Sequence, residues 1–225
     1  MMHQSRIPLK IKERVIERRG KLNMHERINP KTTALLVIDM QNCFIIPNLS
    51  IVEVPGVEAI APNINKLATT LRKNNGQVIW TKHRYTTDWI AWYENFCNEE
   101  TRNQIIEDTK EGAFPGELWD GMDVQKDDKI ITKNRSSALA PDFFLLKDYL
   151  LQKKIDTLII TGTLSNVCCE STTRDAMFLN YKTIFVEDAN GTRSDEEHNA
   201  TLINMIQFFA DVRSTKDVLR LIEKN

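Results

Sequence analysis

Three residues whose side chains can do chemistry together stand where three apolar runs end. Asp39 closes ALLVID (34–39) and Lys133 closes KIITK (129–133). Cys168 follows TLIIT (157–161) through Gly162 and the loop TLSNV. A thiol at the start of a helix is expected to have a lowered pKa, because unpaired N–H groups and the helix dipole favour the thiolate, and an adjacent ammonium adds to this. A carboxylate can accept the thiol proton and return it to a leaving group. Backbone N–H groups of the turn before the helix can hold an oxyanion. The set describes covalent acyl transfer: thiolate attack, a thioester, then hydrolysis by water. Taken singly, each residue is ordinary. An Asp after a strand serves as a turn residue or helix cap, a strand-end Lys is solvated, and a buried Cys packs as a small apolar group. Only their joint placement makes a candidate site.

That placement depends on the elements between them. Apolar runs predict strands at 34–39, 77–81 (QVIWT), 129–133, 157–161, 182–187 and 210–212. Val57, Ile60, Ile64, Leu67 and Leu71 recur at three- and four-residue steps, predicting a helix over 57–74 that Asn74-Asn75-Gly76 stops. Further helices are predicted at 143–152, about 168–180, about 195–208 and 215–223. Residues 83–125 are rich in Trp, Tyr and charge, with helical hints near 99–108, and read as an excursion that lines a pocket. Strands that are apolar throughout and separated by helices imply a sheet covered on both faces. The expected fold class is α/β: a single doubly wound domain, with a mostly parallel six-stranded sheet and helices on both faces. Ligands of such folds bind outside the carboxyl ends of the strands, where Asp39, Lys133 and Cys168 fall. Neither GxGxxG nor GxxxxGK[ST] occurs, so the usual dinucleotide or triphosphate site is not expected.

The 225 residues carry 30 Lys+Arg against 31 Asp+Glu, a net charge of -1, which argues against binding nucleic acid by bulk charge. Apolar content of 41% and charged content of 27% fit a globular domain rather than a disordered chain. No apolar run approaches the roughly 18–20 residues of a membrane span. The four cysteines, Cys43, Cys97, Cys168 and Cys169, show neither a disulfide framework nor metal-ligand spacing, so a reducing cytoplasmic setting is expected. Residues 1–30 are basic but lack the apolar core of a leader, and their three glutamates argue against a transit peptide. They are read as an extension preceding a domain over 31–225.

TALLVIDMQNCF (33–44), KNRSSAL (133–139) and TGTLSNVCCESTTRDAMFLNYKTIFVEDA (161–189) resemble the isochorismatase-like cysteine hydrolase superfamily, over roughly residues 30–213. The resemblance implies a catalytic Asp at Asp39, a catalytic Lys at Lys133 and the nucleophile at Cys168, with Cys169 in a place usually held by Val. It also implies a non-proline cis peptide between Thr163 and Leu164, with the N–H groups of Leu164 and Cys168 forming the oxyanion hole. Family nicotinamidases bind a metal through a D-x-H pair after the second strand. The corresponding positions here are His83 and Tyr85, so no metal and no other cofactor is expected.

The retained Cys168 and the TNVCVEST-like run point to hydrolysis of a C–N bond in a small amide, carbamoyl or ureido compound. The alternatives are a vinyl-ether hydrolase of the isochorismatase type and a catalytically silent small-molecule binder. Candidate substrate contacts are His83, Arg84, Trp89, Trp92, Arg135 and Asn166. The arginines offer bidentate forks for a carboxylate, and Asn166 is equally readable as a helix cap. The aromatic stretch 89–96 is read equally as pocket lining or as a subunit interface. The expected partners are a small-molecule substrate and further copies of the chain, as a dimer or tetramer, with neither nucleic acid nor membrane.

Overall fold

A computed structural model of the chain describes residues 3–87, 95–140 and 144–224. Six strands form one sheet: β1 (Thr33–Ile38), β2 (Gln77–His83), β3 (Lys129–Lys133), β4 (Thr157–Thr163), β5 (Lys182–Gly191) and β6 (Asp211–Arg213). Their order is β3-β2-β1-β4-β5-β6, and every pairing between them is parallel. The chain winds outward from β1 to β3, then crosses to β4 and winds outward the other way. The reversal leaves a crevice between the carboxyl ends of β1 and β4, the position where such sheets bind ligands.

The apolar runs become central strands because both their faces are covered. Leu35 and Val37 of β1 join a core with helix α2 (Ala61–Lys73) and helix α7 (Thr215–Glu223). Ala34, Leu36 and Ile38 join a second core on the opposite face. Helices α4 (Phe144–Gln152), α5 (Glu170–Phe178) and α6 (Asp195–Asn204) cover that face through Leu146, Leu150, Ala176 and Leu202. The excursion carries helix α3 (Glu99–Thr109), whose Asn98 side chain caps the Thr101 N–H at 2.8 Å.

Several boundaries differ from the sequence-based expectation. The predicted 57–74 helix begins with a 3₁₀ turn, Val57–Ile60, before α2. β5 runs on to Gly191, because Asn190 Nδ2 donates to the carbonyls of Ile160 and Val186 and spans an irregularity in its ladder with β4. The extension contains a helix, α1 (Leu9–Arg19), that composition did not suggest. Only Val15 of this helix is fully buried, so its apolar stripe is faint. The segment after α1 is tied to the sheet by Asp211, whose carboxylate accepts from the Met24 and His25 N–H groups at 2.9 and 2.8 Å. Among the described residues, no helix is long and apolar enough to cross a membrane.

Candidate active site

Each member of the site is delivered by a strand end, and the local backbone explains how. After β1 the chain turns at Asp39 with φ 51°, a left-handed conformation that aspartate tolerates better than most residues. The turn leaves the Asp39 side chain wholly buried. Thr81 fixes it twice: its Oγ donates to Asp39 Oδ1 at 2.6 Å and accepts from the Asp39 N–H at 3.2 Å. β4 lies so close to β1 at this level that a Cβ on Gly162 (φ 112°) would stand 2.1 Å from the Ile38 carbonyl oxygen. The Thr163–Leu164 peptide that follows is cis. The Leu164 carbonyl accepts from the Val167 and Cys169 N–H groups at 3.1 Å, closing a wide π-type turn, Ser165–Cys169, at the head of α5. Cys168 sits in this turn, held from behind by Thr172 Oγ, which donates to the Cys168 carbonyl at 2.7 Å.

Lys133 comes from β3, two strands away from β1. Neighbouring strands lie about 4.8 Å apart, so a long side chain is needed to cross β2. The Lys133 Nζ reaches Asp39 Oδ2 at 2.7 Å and Cys168 Sγ at 3.5 Å. It also contacts His83 Nδ1 at 2.9 Å and the Arg135 carbonyl at 3.0 Å. His83 is the cross-strand register partner of Lys133. Since an ammonium can only donate, Nδ1 accepts and the proton of a neutral His83 ring lies on Nε2. Burial, then Lys133 and Arg135, hold the His83 pKa well below its ordinary value. His83 Nε2 and Asp39 Oδ2 are buried without a hydrogen bond among the described residues, so the contact of Oδ2 with Lys133 is an ion pair rather than an aligned hydrogen bond.

The expected activation of the thiol is corrected by this arrangement. Burial pushes Cys168 up to about 12; Lys133 opposes the shift and Asp39 adds to it. At the same site, burial works against the charge on Lys133, yet Asp39 and Cys168 together raise its pKa above the ordinary lysine value. Both shifts favour a neutral thiol beside the Asp39–Lys133 pair over a preformed thiolate. Desolvation outweighs the dipole at this position because it depends on everything packed around the sulfur, and Cys168 is only 5% exposed.

Asp39, His83 and Cys168 offer ligand-type atoms within 4.8 Å of one another. The Lys133 ammonium contacts all three and already supplies the positive charge of the cluster. His83 and Tyr85, which stand where the resemblance would put a D-x-H metal pair, instead pack their rings 4.1 Å apart. These residues do not fit a divalent ion.

Asp39, Lys133, Cys168 and His83 are thus brought together, with Arg135 joined through its carbonyl. The Arg84 guanidinium pairs with Glu111 at 3.1 Å. Asn166 does not cap the helix; its Oδ1 accepts from Thr192 Oγ at 2.7 Å. Leu164 immediately precedes the turn that carries Cys168. Trp89 and Trp92 lie outside the described residues. Cys169 packs into the second core, wholly buried. Sequence reasoning passed over Gln41 and Thr81. The Gln41 side chain accepts from the His83 N–H at 2.6 Å and donates to the carbonyls of His83 and Gly116 at 3.1 and 2.7 Å, joining the end of β2 to the excursion. Its only sequence signal is its place in VIDMQN.

Residues 33–217 match the isochorismatase domain family. Nicotinamidase 3 of Arabidopsis thaliana is 30% identical over 187 residues, covering 81% of this chain and 84% of that protein. The ureidoacrylate amidohydrolase RutB of Acinetobacter baylyi is 28% identical over 217 residues, covering 88% and 87%. A cysteine hydrolase from Pseudomonas syringae pv. phaseolicola 1448A superposes with a TM-score of 0.78 at 27% identity, covering 90% of this chain and 97% of that one. The chain belongs to the isochorismatase family, and its relatives there include hydrolases.

Proposed function

We propose that this protein is a cysteine-dependent amidohydrolase that cleaves a C–N bond of a small non-peptide amide, carbamoyl or ureido compound. The observation that carries the reading is the sealed cluster in which one ammonium contacts both a carboxylate and a thiol. Asp39 takes the Cys168 proton as the sulfur attacks the substrate carbonyl, so ionisation and C–S bond formation proceed together. Lys133 balances the negative charge whether it lies on Asp39 or on sulfur. The N–H groups of Leu164 and Cys168 receive the oxyanion. Protonated Asp39 then gives its proton to the leaving nitrogen as the C–N bond breaks and a thioester remains. Water gives a proton to Asp39 and its oxygen attacks the thioester. Collapse breaks the C–S bond, and Asp39 returns the proton to sulfur. His83, with a proton on Nε2, and Arg135 are the substrate contacts this reading retains, and the assembly is a homo-oligomer.

An ammonia-release screen over ureidoacrylate, N-carbamoyl amino acids, biuret, nicotinamide and maleamate tests the reading, with Cys168→Ala as control. The expected result is a substrate turned over by the wild type and not by the variant, which keeps its fold. Equal turnover by Cys168→Ala sinks the reading. Pyruvate rather than ammonia, released from an enol-pyruvyl ether, replaces it with ether hydrolysis.

A further inference from the structure

The nucleophile turn is braced by residues that the chemistry above does not use. His198 on α6 is wholly buried. A carbonyl can only accept, so His198 Nε2 donates to the Glu187 carbonyl at 2.9 Å and Nδ1 accepts from Ser165 Oγ at 2.9 Å. Ser165 opens the turn that carries Cys168. A second tie reaches the next residue, where Thr192 Oγ donates to Asn166 Oδ1 at 2.7 Å. Both ties meet at His3. Its ring stacks on His198 with centroids 4.6 Å apart and planes at 18°. Its Nδ1 donates to Asp195 Oδ1 at 2.8 Å, and its Nε2 accepts from the Thr192 N–H at 3.0 Å. Asn199 secures the segment further, donating to the Gln4 carbonyl at 3.0 Å and accepting from the Arg6 N–H at 2.5 Å. Residues 3–6 lie outside the stretch, 33–217, that matches the family.

We infer that His3 is a positioning residue that sets the nucleophile turn, acting through His198 on Ser165 and through Thr192 on Asn166. The inference rests on the reading of Cys168 as nucleophile. The stacked ring shields the Ser165–His198 hydrogen bond from water, and a shielded hydrogen bond is stronger and holds its partners more tightly. A displacement of about 1 Å in a reacting atom can cost about a hundredfold in rate, so a brace two contacts away is enough to matter.

The test compares wild type with His3→Ala, with a chain lacking residues 1–6, with His3→Phe, and with Lys10→Ala as an exposed control on the same extension. Two rates are read: kcat and KM on the amide found in the screen, and alkylation of Cys168 by iodoacetamide, followed by peptide mass spectrometry. The two rates are expected to move in opposite directions. In His3→Ala and in the shortened chain, kcat falls by about tenfold or more with KM little changed. Alkylation becomes several-fold faster as the loosened turn exposes the buried thiol. His3→Phe keeps the stack but not the Thr192 contact and falls between, while Lys10→Ala matches wild type. A purely structural arm would lower the thermal midpoint and leave both rates of the folded protein unchanged, and that result overturns the inference. Loss of turnover together with slower alkylation also overturns it. If no amide is hydrolysed by wild type but His3→Ala still speeds alkylation, the hydrolase reading fails and the brace stands. If wild type hydrolyses an amide and the variants match it in both rates, the brace alone fails.

Discussion

Lys133 Nζ stands 2.7 Å from Asp39 Oδ2, with both side chains sealed from solvent. The strand between them, β2, supplies His83 as a further acceptor for the ammonium and Thr81 as a double tether for the carboxylate. Neither charge has water to fall back on, so each depends on the other. Removing one partner is costly to the fold as well as to the chemistry.

Asp39→Asn is expected to lower turnover by about 100-fold to 10,000-fold, the range for loss of a general acid–base group. It also leaves an ammonium buried without its counter-charge, which costs about 3–5 kcal/mol of stability. The double variant Asp39→Asn/Lys133→Met removes the stranded charge and recovers much of the stability but none of the turnover. Denaturant unfolding and ammonia release measure the two effects separately. Turnover restored in the double variant would show that the carboxylate is structural.

Cys168 is expected to react slowly with iodoacetamide near neutral pH and to speed up as pH climbs towards its pKa of about 12. Fast alkylation that has already reached its plateau well below the ordinary thiol pKa, roughly 8.5, would show a preformed thiolate instead. The same shift links to stability. Burial also pushes Cys43 up to about 12. Thiols of the unfolded chain ionise near roughly 8.5 while these two stay protonated in the fold. Between those values the unfolded state binds fewer protons, so the two thiols make stability fall as pH rises. Cys43→Val should flatten part of that alkaline decline in the thermal midpoint.

Gly162→Ala is expected to be among the most damaging single changes, about 4 kcal/mol or a failure to fold. The new Cβ meets the Ile38 carbonyl at 2.1 Å and forces a non-glycine residue to φ 112°. Gly112 also has positive φ, but nothing lies within 4 Å of its Cβ position, so Gly112→Ala should cost only about 1–2 kcal/mol. Thermal melts of the two variants side by side decide whether close strand approach or backbone conformation is the constraint.

Dialysis against a chelator is expected to leave amide turnover unchanged. Among the described residues, Lys133 contacts each of the three side chains placed to ligate an ion here, and its raised pKa favours the ammonium. Activity lost on chelation and restored by a divalent cation would place the ion elsewhere in the site and overturn the argument.

The elements that carry the site were legible because burial on both faces leaves an uninterrupted apolar run in each central strand. ALLVID, QVIWT and TLIIT are such runs, and Asp39 and Cys168 could be located by where the first and last of them stop. KIITK is the weaker signal, three apolar or β-branched residues between lysines, because β3 is an edge strand with Ile130 half exposed. The helix α1 was not legible, since one buried Val15 on a charged helix makes almost no periodic signal.

The residue types, their place at strand ends and the parallel sheet followed from the sequence alone, because hydrophobic run length and strand termini are local properties. Other features were decided only by tertiary structure: Thr81 on Asp39, Gln41 on His83, His198 on Ser165, and the direction of the Cys168 pKa. Each of these joins segments far apart in the chain. Desolvation sums over every atom packed around a group, and a hydrogen bond needs both partners within about 3 Å. Neither condition exists until the sheet has closed and the two cores have formed.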